Sequence, residues 1–377
     1  MNTKKILALL LVAVMAFGLV ACGGETNSKE ESNALEATNN TLETTNNTSS
    51  DETTKTITVE HALGTTEVTY CPERVCVLDS NAMDFIHALG LSEYVASVQS
   101  PKGIPAYLEE YYNSDTIIKL ERAESGEKSG EAETADPYES YYSIDADLII
   151  GSADTVDGEL YAVLSEIAPT VVTDFAIDHE DGMYAGVVAN ARMIASIWGV
   201  EEKLDTMLAE YDALYQQLSE AMNGISCVMM NSTLDSNRIQ VVSNDDYESD
   251  KEKLECERSG RIIYDLGMNM YSNDAPEEIV EASTYNRNTD EATQIAKNQV
   301  IADWINEINP DYVLIVDRNF NSVEEAEAEG YTYAELKELN IYKEGKVYML
   351  SYDGRIGGSG LYGMFIQLDE LKDIFLK

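Results

Sequence analysis

The residue with the most specific chemistry in this sequence is Cys22, which ends an N-terminal export signal. Lys4 and Lys5 precede an apolar run over residues 6–20, and the run closes with the tetrapeptide Leu19-Val20-Ala21-Cys22. A basic start, a short apolar stretch and small residues are typical of a cleaved signal, whereas a membrane-spanning helix needs about 20 apolar residues. The tetrapeptide resembles a bacterial lipobox. We therefore expect a lipoprotein signal peptide over residues 1–21, cleavage before Cys22 and diacylglycerol transfer to its thiol.

Other side chains suited to metal binding or nucleophilic attack are few and scattered. They are Cys71, Cys76, Cys227, Cys256, His61, His87 and His179. An even number of cysteines in an exported chain permits disulfides, but no spacing requires them, and small buried hydrophobic side chains are the simpler interpretation. The absence of Cys-x-x-Cys and His-x-x-x-His pairs disfavours a zinc or manganese site built on several histidines.

The motif content favours binding over catalysis. We find no Gly-x-Ser-x-Gly elbow and expect no phosphate- or dinucleotide-binding glycine loop, and no histidine is near Asp79-Ser80 or Asp317-Arg318 in sequence. The formal net charge of −44 disfavours a nucleic-acid partner, because phosphate backbones are bound through lysine and arginine. We predict that the chain is not an enzyme and does not bind nucleic acid.

Short apolar strands alternate with helices after residue 56. Residues 57–70 alternate apolar and polar side chains around Gly64, as a β-hairpin does. Further strands are predicted at 75–78, 94–98, 147–150, 169–173, 225–230, 239–242, 313–316 and 346–350. Helices are predicted at 81–89, 105–112, 158–167, 182–222 with a turn near Gly199-Val200, 261–266, 299–308 and 361–376. This alternation predicts parallel βαβ units covered on both faces.

Composition and pattern together divide the chain into five segments. Residues 1–21 are the signal peptide, and residues 22–56 contain the lipidated cysteine and a stretch of Asn, Thr, Ser and Glu that cannot bury enough surface to fold, so we expect a disordered tether. An N-terminal lobe follows over 57–181, connecting helices over 182–222 and a C-terminal lobe over 223–377. The predicted fold class is α/β, with two Rossmann-like lobes that have central parallel sheets and are joined by a long backbone helix.

Each half of the chain contains a short segment that is similar to one in the other half. Residues 144–150 and 308–315 both read as a helix end, a turn with an aspartate, and a buried strand. The chain leaves these strands at Gly151-Ser152 and at Asp317-Arg318. Ligands of open α/β sheets bind outside the carboxyl ends of the strands, so we expect the two exits, Ser152 included, to face each other across a cleft.

From residue 57 to 377 the sequence resembles the class III (cluster A-II) substrate-binding proteins, specifically the siderophore receptors of iron ABC importers. The stretches that carry the resemblance are Ile57–Gly64, Pro72–Val75, Ala88–Gly90, Glu166–Pro169, Asn309–Tyr312, Val316–Arg318 and Lys343–Tyr348. The family implies two lobes with little hinge motion and delivery of a ferric siderophore, as a transported ligand and not a permanent cofactor, to a permease and its ATPase. With the lipobox, it implies a monomer on the extracellular face of a Gram-positive-like membrane, or in a periplasm.

The resemblance also implies arginines that surround an anionic chelate. Arg318 matches one of them within Val-Asp-Arg, and a planar guanidinium suits catecholate or carboxylate oxygens. Arg258 and Arg261 both lie near the position of a second. The first-lobe arginine of the family is absent, since Gly151-Ser152-Ala153-Asp154 stands there. A chelate less anionic than a triscatecholate is therefore plausible.

Relatives of this family can also complete the iron shell with a histidine and a tyrosine. Tyr285 replaces the histidine, and its phenolate is itself a hard oxygen donor that suits Fe(III). It can equally be a cleft wall that does not touch the metal. The family's last-loop tyrosine falls near Arg355, with Tyr352 three residues earlier. Heme, with Tyr285 as an axial ligand, and cobalamin stay open as alternatives, as does a surface sensor or adhesion lipoprotein.

Overall fold

The computed structural model describes residues 55–99, 104–120, 138–233, 238–242, 258–284, 288–317, 319–320, 322–329, 334–357 and 359–377, without the side chains at 258–259, 323–324, 327 and 355–357. Thr53–Lys377 forms one compact unit. The predicted signal peptide, Cys22 and nearly all of the predicted tether lie outside the described residues. No helix in the described part of the chain is long and apolar enough to cross a bilayer.

The folded part begins with the predicted hairpin. Strands β1 (Thr56–His61) and β2 (Gly64–Thr69) pair antiparallel, with His61 opposite Gly64. The hairpin is fixed to the first sheet at two points: Ala62 N donates to Val172 O at 3.0 Å, and Thr66 Oγ1 donates to Thr170 O at 2.9 Å.

A five-stranded parallel sheet forms the centre of the N-terminal lobe. Its strand order is β5-β4-β3-β6-β7. The elements are, along the chain, β3 (Val75–Val77), α1 (Ser80–Ala88), β4 (Val95–Gln99), α2 (Glu109–Asn113), β5 (Ile118–Leu120), α3 (Glu139–Tyr142), β6 (Leu148–Ser152), α4 (Gly158–Ile167) and β7 (Thr170–Thr173). The order runs outward from β3 in both directions, so the sheet is doubly wound with its switch point between β3 and β6.

Two helices connect the lobes, with the turn at the predicted place. Helices α5 (Met183–Trp198) and α6 (Glu201–Met222) are separated by Gly199, which has a φ of 65° in the left-handed region. Glycine ends a helix in this conformation at no steric cost because it has no Cβ. Trp198 Nε1 donates to Pro72 O at 3.3 Å and fixes the end of α5 to the start of the first sheet.

The C-terminal lobe repeats the doubly wound plan with one exception. Its elements are β8 (Ser226–Thr233), β9 (Arg238–Val241), α7 (Arg258–Asp265), β10 (Asn269–Met270), α8 (Glu277–Ser283), α9 (Glu291–Ile308), β11 (Tyr312–Asp317), α10 (Val323–Ala328), α11 (Ala334–Lys337), α12 (Asn340–Lys343), β12 (Val347–Leu350), α13 (Tyr352–Gly357) and α14 (Leu361–Phe375). The parallel order is β10-β8-β11-β12. Strand β9 pairs antiparallel with β8, because the short link between them leaves no room for the crossover that a parallel strand needs.

One predicted helix starts earlier than its apolar pattern indicates. Helix α9 begins at Glu291 rather than Gln299, because Asp290 caps it and accepts a hydrogen bond from Thr293 N at 3.0 Å. Its first two turns are mostly exposed. An exposed turn has no apolar periodicity, so the sequence pattern finds only the part of the helix that packs on the sheet.

The two similar segments have matching hydrogen bonds at the amino ends of the strands. Asp147, before β6, accepts hydrogen bonds from Glu73 N and Arg74 N, both at 3.0 Å. Asp311, before β11, accepts from the backbone N of Ser226 at 3.0 Å and from its hydroxyl at 2.7 Å. Each aspartate thus joins its own strand to the start of the strand beside it.

The largest of three hydrophobic clusters extends across both lobes. The inner faces of the two sheets, represented by Val77 and Met229, belong to one cluster that continues through α5, α6 and α14. The outer face of each sheet has a separate core. A continuous apolar core opposes relative motion of the lobes, since opening it would expose buried surface to water.

Candidate ligand-binding cleft

The carboxyl end of the first sheet is organised by Asp79, which lies at the switch point directly after β3. Its Oδ1 accepts a hydrogen bond from Ala82 N at 2.9 Å and caps α1. Its Oδ2 accepts from Ser152 N at 2.7 Å and from the Ser152 hydroxyl at 3.0 Å. The carboxylate therefore joins the ends of β3 and β6 while it stabilises a helix N-terminus, where a negative charge is favoured.

Ser152 lies at the predicted strand exit, and its side chain forms a hydrogen bond with Asp79. The residue is only 4% exposed. With its hydroxyl donating to Asp79, Ser152 supports the cleft floor in this structure. Direct contact between Ser152 and a ligand stays a prediction.

The second lobe has the same pair with the two residue types exchanged. Ser232 lies near the end of β8, beside the end of β11. Its hydroxyl donates a short hydrogen bond to Oδ2 of Asp317, the last residue of β11. Asp317 is fully buried, and its Oδ1 accepts from Asn319 N at 2.7 Å. Both lobes thus close their switch point with a buried aspartate–serine pair, which the sequence reasoning missed. The signal was present, since a polar residue directly after a buried strand marks a carboxyl edge.

Two of the residues that carry the strongest predictions, Arg318 and Tyr285, lie outside the described residues. Their predicted proximity accordingly stays a prediction. The strand β11 ends at Asp317, at the carboxyl edge of the second sheet.

Arg261, a predicted ligand residue, forms an ion pair with Asp265 on the same helix, α7. Arg261 Nε donates to Asp265 Oδ1 at 3.0 Å, and the other oxygen of Asp265 accepts from Met183 N at 2.7 Å. This arrangement ties α7 to the start of α5. Arg258 is the first residue of α7, one turn before Arg261.

The remaining two predicted residues share one short helix. Tyr352 and Arg355 both lie on α13, which follows β12 at the carboxyl edge of the second sheet. Tyr352 is half-buried. Helix α13 contacts the first lobe, because Asp353 Oδ1 accepts a hydrogen bond from Ala106 N at 2.8 Å.

Three further polar groups lie at or near the carboxyl edge of the first sheet. Asn81, Gln99 and Tyr112 are buried, and within the described part of the chain Asn81 Oδ1, Gln99 Oε1 and the Tyr112 hydroxyl have no hydrogen-bond partner. The amide of Asn81 donates to Asp154 Oδ2 at 2.9 Å. Burial, and then the charge of Asp79, raise the pKa of Tyr112. This edge therefore presents oxygen acceptors and carboxylates, in keeping with the absent first-lobe arginine.

A cavity of about 380 Å³ lies between the connecting helices rather than at a strand edge. It is lined by Asp181, Tyr184, Ala185, Asp212, Tyr215 and Gln216. The rings of Tyr184 and Tyr215 stack with centroids 4.7 Å apart, and the Tyr184 hydroxyl donates to Asp212 at 2.9 Å. The two rings thus pack within the helix pair, as expected for Tyr215 on the apolar stripe of α6.

Metal-binding side chains are not grouped in the part of the chain that the structure describes: no three His, Cys, Asp or Glu residues are placed to hold an ion. Cys76 and Cys227 are buried free thiols, and burial raises the pKa of each to about 12. Cys71 is exposed and free. Cys256 lies outside the described residues. Cys76 and Cys227 are thus the small buried side chains that the sequence favoured.

Comparison with known proteins gives relatives over nearly the whole chain. No protein-family model matches it. The petrobactin-binding protein YclQ of Bacillus subtilis (strain 168) is 25% identical over 375 residues, which cover 98% of this chain and 98% of YclQ. The ferric-anguibactin-binding protein FatB of Vibrio anguillarum is 23% identical over 322 residues, which cover 84% of this chain and 86% of FatB.

Solved structures agree on the fold. The crystal structure of YclQ matches with a TM-score of 0.58 and 23% identity, covering 86% of this chain and 99% of that one. The periplasmic catecholate-siderophore binding protein VctP from Vibrio cholerae matches with a TM-score of 0.58 and 21% identity, covering 85% of this chain and all of VctP. The chain therefore has the two-lobed fold of these binding proteins, and its homology to siderophore-binding relatives confirms the predicted resemblance to the class III substrate-binding proteins of iron importers.

Proposed function

We propose that the chain is the extracellular substrate-binding component of an ABC importer, which captures a ferric siderophore and delivers it to the permease. The observation that carries this proposal is the similarity to YclQ over 98% of both chains. The two switch points support it, since each lobe offers a carboxyl edge of the kind at which α/β sheets bind small ligands.

The ligand that this cleft suits is an iron chelate that carries hydrogen-bond donors as well as anionic oxygens. Arg318 is assigned to an anionic oxygen of the chelate, with Arg258, Arg261 and Arg355 of the same lobe as further candidate donors. The first-lobe edge, with the amide oxygens of Asn81 and Gln99 that are unpaired among the described residues, supplies acceptors instead. A chelate with amine or amide groups on one side satisfies both edges better than a uniformly anionic one.

Tyr285 is the residue that we assign to the metal, either as a phenolate ligand or as a wall beside it. A tyrosinate bound to Fe(III) gives a charge-transfer band in the visible spectrum. If Tyr285 coordinates, Tyr285→Phe abolishes that band while the chelate still binds. A band of equal intensity in the variant leaves Tyr285 only the wall role.

The lipobox supports a membrane anchor through Cys22, with the permease and its ATPase as partners and no permanently bound cofactor. Ligand capture needs no catalytic group, and we propose that the chain is a binding protein and not an enzyme. We also propose that it acts as a monomer. Heme and cobalamin are the competing ligands of the same fold class.

Intrinsic fluorescence separates these ligands. The protein is titrated with ferric petrobactin, ferric anguibactin, heme and cobalamin, and with the iron-free siderophores as controls. We expect saturable quenching by at least one ferric siderophore, with an affinity well above that of its iron-free form. Tighter binding of heme or cobalamin than of every ferric siderophore would overturn the assignment.

A further inference from the structure

Asp84 is a carboxylate buried between the two lobes. It lies on α1 of the N-terminal lobe and is fully buried. Its Oδ1 accepts a hydrogen bond from Tyr362 N at 2.7 Å, and its Oδ2 accepts from Gly363 N at 2.9 Å. The Tyr107 hydroxyl also donates to Oδ2, at 2.5 Å. Two of these three donors belong to the C-terminal lobe.

The two backbone donors are the first turn of α14, which has no cap of its own. The residue before this helix is Gly360, which offers no side-chain acceptor. Asp84 supplies the missing cap from the other lobe, and the helix dipole favours its charge. A Cβ at Gly360 would overlap the Asp84 carboxyl group, so this approach requires glycine at that position.

The same glycines explain a motif that the sequence analysis did not expect. Residues 358–363 have the Gly-x-Gly-x-x-Gly spacing of a dinucleotide-binding loop. Such loops bind phosphate at the helix N-terminus that follows them. Here the carboxylate of Asp84 already occupies that N-terminus, so Gly360 and Gly363 serve a contact within the protein.

Helix α14 in turn holds α13, on which Tyr352 and Arg355 lie. Gln367 Nε2 donates to Gly354 O at 2.7 Å, and both carboxylate oxygens of Glu370 lie 3.2 Å from Ser351 N. Asp353 then reaches back to Ala106 N in the first lobe, one residue before Tyr107. The contacts form a closed ring that runs from α1 through α14 and α13 and returns to Tyr107 beside Asp84.

From this ring we infer that Asp84 is a positioning residue for ligand binding: it fixes α13 from the opposite lobe without touching the ligand. The inference rests on the proposed function only in assigning Tyr352 and Arg355 to the ligand site. A residue that sets the position of a binding segment changes affinity because the segment must be ordered before it can contact the ligand.

Hydrogen exchange and ligand titration on Asp84→Asn test the inference. The asparagine amide cannot accept both backbone donors, so exchange of the α13 peptide, residues 351–357, should accelerate at least about fivefold in the ligand-free protein. Affinity for ferric petrobactin should fall about tenfold, as expected for one lost charge-assisted bond. The matched control is Asp147→Asn, which removes an aspartate that also accepts two backbone hydrogen bonds but lies at the amino edge of the first sheet.

The outcomes separate a positioning role from a general loss of stability. Unchanged exchange in Asp84→Asn, or equal acceleration of α13 exchange in Asp147→Asn, overturns the inference. If Asp84→Asn does not fold, Tyr107→Phe replaces it, because it keeps the cap but removes the hydrogen bond that closes the ring beside Asp84. A smaller acceleration of α13 exchange is then expected, and exchange that matches wild type overturns the inference as well. A wild-type protein that binds no ferric chelate overturns the proposed function instead, because the exchange measurement needs no ligand.

Discussion

At the scale of single residues, carboxylates organise this protein more than cations do. Asp79 and Asp317 join strand ends at the two switch points, while Asp147 and Asp311 join strand starts. Each accepts hydrogen bonds from groups distant in sequence, so its charge is used within the fold. The arginines are the few cations that we expect at the ligand site, and Arg318, in the Val-Asp-Arg context, is the most informative of them to mutate.

Arg318→Ala should weaken binding of the best ferric siderophore by about 2 kcal/mol, or roughly 30-fold, because an anionic oxygen of the chelate loses its desolvated partner. The free energy of unfolding, measured with urea, should barely change. The control is Arg192→Ala, since Arg192 forms an exposed ion pair with Asp205 at 2.7 Å, and such pairs contribute little. Wild-type affinity in the Arg318 variant would place the ligand elsewhere.

Asp311 makes the stability of the C-terminal lobe sensitive to acid. Hydrogen bonds from the backbone of Ser226, and then from its hydroxyl, hold the pKa of Asp311 below its usual value of 3.8. The folded state therefore favours the ionised form. Its contribution to stability is present above the unfolded pKa and is lost as the pH falls through the lower folded value.

Asp311→Asn should be less stable than wild type at pH 6, and the difference should narrow on acidification below about pH 4, where wild type loses the same contribution. Urea unfolding of both proteins at a series of pH values measures this. A difference that stays constant across the series would show that ionisation of Asp311 does not contribute.

At the scale of elements, the turn between α5 and α6 depends on Gly199. Gly199 and Gly224 both have positive φ values, 65° and 80°, next to a helix end. A Cβ at Gly199 would overlap the Tyr70 hydroxyl, whereas a Cβ at Gly224 meets nothing within 4 Å. The pair therefore separates backbone strain from a steric clash.

Gly224→Ala should lower the free energy of unfolding by about 1 kcal/mol from strain alone, and Gly199→Ala by clearly more, because Tyr70 must also move. Chemical denaturation of the two variants gives the comparison. Equal losses would mean that Tyr70 moves aside at no cost.

At the scale of the whole molecule, the tether and the folded unit should behave independently. Deletion of residues 23–52, which stops short of the compact unit, should leave the melting temperature of the mature chain unchanged, because the tether has almost nothing to bury. Thermal unfolding tests the deletion, and a clear drop in melting temperature would contradict the expectation.

Cys22→Ser should abolish lipid attachment without affecting the fold. Labelling with a fatty-acid probe tests this, and equal labelling of wild type and the Cys22 variant would contradict it.

Local patterns in the sequence were enough to predict the larger architecture. The hairpin, the helix over residues 158–167 and the turn at Gly199 each follow from side-chain period or from a residue with a special backbone conformation. The same logic gave the strand exits at Ser152 and Asp317. It missed α10 to α13, since helices of four to six residues are too short to show a period.

Only the tertiary structure decided which distant groups meet. Asp79 and Ser152 are 73 residues apart, and Asp84 is 278 residues from Tyr362. No period or motif in either segment encodes such a pair, because it depends on how the strands are ordered and how the lobes pack. The sequence by itself therefore predicted the larger elements, and the predictions of an export signal and of ligand residues rest on it alone. The chain's three-dimensional packing determined that a buried carboxylate of one lobe caps a helix of the other, since burial leaves the backbone N–H groups of that helix no water to bind.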